Sequence, residues 1–292
     1  MRITGHRMID LSATSTSKSQ EAVAARSAEV TSGLKVAKPS DDPTAWAAAE
    51  RAKVRKTISE GAGAAVKASR DRLEETDGAL GSIGDILSRV QELAVQGANA
   101  SYNAGDRAEL GAEIHGLFLS ALGSANTQST NGEYLLGGSI SDAPPFDATG
   151  AYVGDSLARS IPAGENANSF ATIPGSRLTA ANGVDVLPLL ERVAAALSSN
   201  NLSALQTGLA DLHTAVQQVG LTRTVTGGAM NVLDATANAR DLLSQHLSQE
   251  VSRNVEVDSV GAASALANAS AALEASRAVT SHLVSLLDPR ST

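Results

Sequence analysis

The chain has 292 residues, room for one large domain or two ordinary ones, with 52 alanines, seven aromatic residues and no cysteine. No disulfide framework, thiolate metal site or thiol nucleophile is available, and the alanine content reads as closely approaching helices with thin cores rather than a sandwich or barrel. A net charge of −8 repels the phosphates of nucleic acid and of an anionic membrane.

The first twenty residues, Met1 to Gln20, lack the apolar stretch of a cleavable signal peptide, so export would need another route. No apolar run approaches the roughly 18 residues of a spanning helix, and membrane insertion is not expected. Residues 6–36 carry thinly spread apolar side chains at Met8, Ile9, Leu11, Val23, Val30 and Leu34, enough for a helix that cannot bury itself alone. Pro39-Ser40-Asp41-Asp42-Pro43 then reads as a turn. Pro43 suits a first helical position and Asp42 or Ser40 an N-cap, which predicts a new helix from about Thr44.

The strongest periodicity starts at Leu73, with Leu80, Leu87 and Ala94 at sevenfold steps and Thr76, Ile83 and Val90 on a second seam. After Tyr102-Asn103-Ala104-Gly105, a further helix carries Leu110, Ile114, Leu117 and Ala121 on one face. The short connection pairs it with the helix before it. Leu73, Leu80, Ile83, Leu87, Val90, Leu110, Ile114 and Leu117 are therefore the expected bundle core.

Between Asn131 and Gly183, eight glycines and four prolines interrupt the pattern. Turns and short strands are expected there, with 150–153, 157–161 and 169–173 as the candidate strands, the last two parted by Gly164-Glu165-Asn166. Helical spacing returns through Leu187, Leu190, Val193 and Leu197, pauses at 198–201, and resumes from Leu202 to Val219. Arg223 and Thr226 fall on the seam, and Gly227-Gly228 predicts a bend or a close contact. Leu266, Leu273 and Leu287 share a seven-residue frame near the C-terminus, with Thr280 the exception and Ala269, Ser276 and Leu283 on the second seam.

Catalytic constellations are missing. The five histidines are widely spaced and form no ligand pair, so no metal or other cofactor is expected. Asp41-Asp42 reads as capping carboxylates rather than an acid and base pair, because Pro43 follows directly. Gly81-Ser82-Ile83-Gly84 and Gly137-Gly138 lack the strand and acidic partner of a nucleotide loop. Trp46 is expected as a core or interface anchor, and Tyr134 and Phe146 as covers for the end of the bundle.

Ser32-Gly33-Leu34-Lys35-Val36-Ala37-Lys38-Pro39-Ser40-Asp41-Asp42-Pro43 and Glu92-Leu93-Ala94-Val95-Gln96-Gly97-Ala98-Asn99-Ala100-Ser101 resemble the flagellin superfamily. Ala125-Asn126-Thr127, the run from Gly132 to Ser139, and Asp142-Ala143-Pro144-Pro145-Phe146 are similar to its hook-associated protein 3 branch, which joins flagellar hook to filament. Met230 to Asp234, Ala272 to Ser276 and Ser285 to Asp288 agree with it. Two residues depart: Pro289 stands where the family continues to a short apolar or aromatic tip, and Leu136 where an aromatic residue is common.

The resemblance implies a mainly α, flagellin-like fold: paired terminal helices in a coiled-coil axial layer, a helical bundle, and a small β-rich insert. The expected domains are 1–42 with 246–292, disordered in the monomer; 43–135 with 185–245; and 136–184. It implies an assembly interface at Ile3, Met8, Leu11, Leu266, Leu273, Leu283, Leu286 and Leu287, with Pro39, Ser40, Asp41, Asp42 and Pro43 connecting the domains. Implied partners are hook-associated protein 1, flagellin, further copies of the chain and a flagellar export chaperone, with no nucleic acid. The implied role is a non-catalytic adaptor outside the cell, exported through the flagellar type III apparatus. Filament flagellin is the alternative, and a secreted helical factor or enzyme a more distant one.

Overall fold

A computed structural model describes residues 2–163 and 168–287, with side chains described for 7–163 and 168–285. Six helices carry the chain: α1 (Arg2–Ser32), α2 (Pro43–Ala98), α3 (Ala104–Ala125), α4 (Val186–Ser198), α5 (Leu202–Val255) and α6 (Ser259–Leu287). They form two compact units, Met1–Ser59 with Leu242–Thr292 and Glu60–Asp241. Both junctions between the units fall inside a helix, α2 and α5. The expected boundaries at 42/43 and 245/246 therefore shift to 59/60 and 241/242, and the bundle and insert share one unit.

In the terminal unit, α1 packs antiparallel on α6, since Ser12 meets Thr280 and Thr16 meets Ser276. Gly33, at φ +71°, ends α1 in the left-handed conformation, and its N–H donates to the Glu29 carbonyl at 2.9 Å. The chain then crosses the end of α5: Lys35 N–H donates to Val255 O at 2.8 Å and Val257 N–H to Gly33 O at 2.9 Å. A small core of Val36, Ala49 and Val255 forms there, with Trp46 and Val251 half-buried against it. Asp41 Oδ2 accepts from the backbone of Ala37 and Lys38, while Asp42 Oδ1 caps α2 through Thr44 N and Ala45 N. Pro39, Ser40, Asp41, Asp42 and Pro43 thus join α1 to α2 within one unit, and the passage between units is helical instead.

The central unit is a bundle of α2, α3, α4 and α5. One sevenfold line along α2 is buried from end to end, through Ala52, Ser59, Val66, Leu73, Leu80, Leu87 and Ala94. Leu80, Ile83, Leu87, Val90 and Ile114 lie in the main core, with Leu110 and Leu117 partly buried against it; Leu73 belongs to a second cluster with Val66, Ile173, Ala229 and Leu233. Between the two clusters, the buried threonines Thr76, Thr222 and Thr226 each donate a hydroxyl to the carbonyl four residues earlier, so none of the three hydroxyls is orphaned. Helices α3 and α4 approach so closely at Gly111 that a Cβ there would lie 2.8 Å from the Ala194 carbonyl oxygen. Gly227-Gly228 does not interrupt α5, which runs through, and makes no close contact: a Cβ at either position would meet nothing within 4 Å.

The insert holds less strand than the sequence predicts. β1 (Ser160–Pro162) pairs antiparallel with β2 (Asn168–Phe170), and 150–153 contributes only a bridge from Tyr152 to Phe146. Side chains take the backbone donors that longer ladders would need. Asp147 Oδ1 accepts from Thr149 N and Ala151 N, and Asp155 Oδ1 from Ser139 N and Leu157 N. These bonds hold both carboxyls below their ordinary range, led in each case by the hydroxyl of Thr149 or Ser139. Ile173, expected in a strand, is instead a core residue, and Gly164-Glu165-Asn166 lies outside the described residues.

Candidate assembly face

Three of the residues expected at an assembly interface, Met8, Leu11 and Leu283, line one groove of the terminal unit. Met8, Leu11, Ser12 and Ser15 of α1 face Ala275, Ser276, Val279 and Leu283 of α6 across an open groove of about 530 Å³. Met8 is 58 % exposed, Leu11 67 % and Val279 57 %, so their apolar surface has no cover within the described chain. Leu283 is half-buried in the groove wall. Leu266 is half-buried elsewhere on α6, and Leu273 is covered already at 9 % exposure. Ile3, Leu286 and Leu287 fall in helical backbone, but their side chains lie outside the described residues.

Periodicity places Ser276 and Thr280 on the seams of α6 but not Ser12 and Thr16 opposite them on α1. Ser12 bonds to Thr280, and Thr16 bonds to Ser276 at 3.0 Å and to Thr280 at 3.2 Å. Four hydroxyls therefore occupy the seam where a self-sufficient helix pair would carry leucine. The signal was their i, i+4 spacing on both helices, which is the spacing of a packed face. Each such bond contributes on the order of 1 kcal/mol or less, since both partners could bond to water instead. No residue of α1 from Arg7 to Ser32 is fully buried, and α6 buries only Ala262 and Leu273 among its described side chains. The pair thus holds itself weakly while presenting apolar surface outward.

No cluster of three or more histidine, aspartate or glutamate side chains could hold a metal ion among the described residues. His115 Nδ1 lies 2.8 Å from Glu191, and His213 bonds to Gln217 within its own helix. Phe146 is buried in the main core beside Leu136, which fills its position as an ordinary apolar residue, and Tyr152 packs on Phe146 at 5.2 Å. Burial pushes the Tyr152 phenol up to about 12, and its hydroxyl donates to backbone carbonyls, as a structural tyrosine does. No described helix is long and apolar enough to cross a membrane.

The described chain is thus mainly helical, with antiparallel terminal helices, a central bundle and an apolar face left open. Residues 6–141 match the family described as the bacterial flagellin N-terminal helical region. Over those residues the chain is similar to the flagellins, and its curated relatives are named as flagellar hook-associated protein 3 and flagellin. Flagellar hook-associated protein 3 of Salmonella typhimurium is 26 % identical over 155 residues, which is 53 % of this chain and 49 % of that protein. Flagellin FlaB1 of Treponema pallidum is 24 % identical over 231 residues, 77 % of this chain and 76 % of that one. The chain thus spans about half the length of the Salmonella relative. Among solved structures, FlgL of Xanthomonas campestris superposes with a TM-score of 0.61 at 19 % identity, covering 70 % of this chain and 99 % of that one. At that identity the likeness describes the fold.

Proposed function

We propose that this chain is the structural adaptor between flagellar hook and filament, presenting a surface on which flagellin polymerises. The observation that carries the reading is the open groove of Met8, Leu11, Val279 and Leu283 on a weakly self-sufficient helix pair. Such a face gains its cover from neighbouring subunits. The similarity to hook-associated protein 3 favours the junction over the filament body. In this reading hook-associated protein 1 lies on one side, flagellin on the other, and further copies of the chain beside it. The subunit acts by contact alone, with no reaction and no cofactor.

The same weakness suits export. Terminal helices with so few buried side chains stay disordered in the free monomer, where a flagellar chaperone covers them, and they order on assembly outside the cell. Passage through the type III apparatus in unfolded form needs no cleavable leader.

Deleting the chain from its bacterium tests the function. The expected cells build hooks that carry no filaments, and they release flagellin into the medium. Filaments of normal length on the deleted strain would sink the reading. Filament flagellin is the second reading, supported by the longer match to the Treponema protein; its deletion would leave no flagellin to release.

A further inference from the structure

The N-terminal part of α2 is amphipathic the wrong way round. On the terminal unit, its inward positions hold Ala52 at 1 % exposure and Ser59 at 4 %, while Val54 is 58 % exposed and Ile58 67 %. The Ser59 hydroxyl is buried without a hydrogen-bond partner. A helix serving only its own chain would turn the aliphatic pair inward and the serine out. Arg51, Val54, Arg55 and Ile58 stand at i, i+3, i+4 and i+7, hence on one face. Both arginines are exposed, and neither makes an ion pair among the described residues, in contrast to Lys53, which bonds to Glu50 at 2.8 Å. The result is an aliphatic stripe set between two uncommitted guanidinium groups.

Charge along α2 says what would cover it. From Pro43 to Arg70 there are six cations against two carboxylates; from Asp71 to Glu92 there are six carboxylates against two cations. In the acidic stretch, Asp85, Ser88, Glu92 and Val95 share an exposed face, with the Glu92 side chain 65 % exposed and Val95 57 %. That face carries two carboxylates and an uncovered aliphatic residue, although Arg89 stands beside them and bonds to Glu92 at 3.2 Å, so an incoming guanidinium would share Glu92 with it.

We propose that the Arg51, Val54, Arg55, Ile58 stripe of one copy docks on the Asp85, Glu92, Val95 face of a second copy. The contact is heterologous, with a different surface on each side, so it extends from copy to copy instead of closing a two-fold dimer. The two guanidinium groups meet the two carboxylates, and Val54 and Ile58 cover Val95. Exposed ion pairs are individually weak and screened by salt, so the contact is slight in free solution and gains weight where many copies are held together. The proposal rests on the reading of the chain as an assembly subunit and adds the surface by which its copies recognise one another.

Sedimentation equilibrium of the purified full-length chain at low and high ionic strength tests it. The parent should self-associate weakly at low ionic strength and much less at high. Arg51→Glu with Arg55→Glu should weaken association roughly tenfold or more, as should Asp85→Lys with Glu92→Lys, while the chain carrying all four substitutions recovers it. Val54→Ser with Ile58→Ser should also weaken it, without losing the salt dependence that remains. All these positions are exposed, so melting temperatures should match the parent and exclude misfolding. A parent that stays monomeric at its highest soluble concentration in low salt overturns the proposal. So does a four-substitution chain no better than either charge reversal, or a reversal that abolishes binding to hook-associated protein 1 while leaving self-association intact. None of these failures touches the phenotype of the deletion strain, which stands or falls separately.

Discussion

Leu80→Asp, or Leu87→Asp in a separate chain, should lower the melting temperature of the central unit by roughly 6 to 12 °C or unfold it outright. Both leucines have no exposed surface, and both sit in the main core on the inward line of α2. Each substitution removes a buried aliphatic side chain, at a cost of about 2 to 5 kcal/mol, and puts a carboxylate where no donor can reach it. A total above about 3 kcal/mol is a large part of the roughly 5 to 15 kcal/mol that holds an ordinary domain together. Thermal unfolding followed by circular dichroism gives the answer. A midpoint within error of the parent would mean that this face of α2 is not the core.

The second large effect separates folding from assembly. Leu11→Asp with Leu283→Asp should leave the melting of the central unit unchanged, since both residues lie in the terminal unit and Leu11 is already 67 % exposed. In the proposed assembly the same groove is covered, and each new carboxylate would then be desolvated without a partner, costing several kcal/mol per subunit contact. Cells carrying the double variant should make the protein at normal level, build hooks, and shed flagellin instead of growing filaments. Limited proteolysis of the purified monomer should cut within α1 and α6 and spare a fragment close to 60–241, because the terminal pair buries so few side chains. Normal motility with the variant in place would show that the groove is not an assembly element. Uniform resistance of both ends in a proven monomer would show that the terminal helices fold without partners.

How much of this the sequence makes legible depends on the size of the side chains involved. From Leu73 onward the inward line of α2 is written in leucines, and the buried seam can be read directly. Toward the N-terminus the same line continues as Ala52, Ser59 and Val66, residues equally at home on a surface, so the length of the packed helix is hidden. At the assembly face, Met8, Leu11 and Leu283 stand out by their type. The hydroxyls that meet across the same seam, Ser12, Thr16, Ser276 and Thr280, do not, because a serine on a polar helix gives no sign of its partner. Val54 and Ile58 mislead in the opposite direction, as aliphatic residues that hydropathy assigns to a core and the fold leaves outside. In the insert, strand propensity loses to side chains that satisfy backbone donors locally: Asp147 and Asp155 take those of Thr149 and Leu157, and the Thr172 hydroxyl takes Arg159 N–H at the open end of the β1 and β2 ladder. The boundary between units escapes a reading based on Pro and Gly, since it falls within continuous helices.

Immunogold labelling of intact flagella with antibody against this chain tests the central claim most directly. The adaptor reading predicts a single band of label at the boundary between hook and filament, with the filament shaft bare. Label spread along the whole filament would contradict it and make the chain a flagellin.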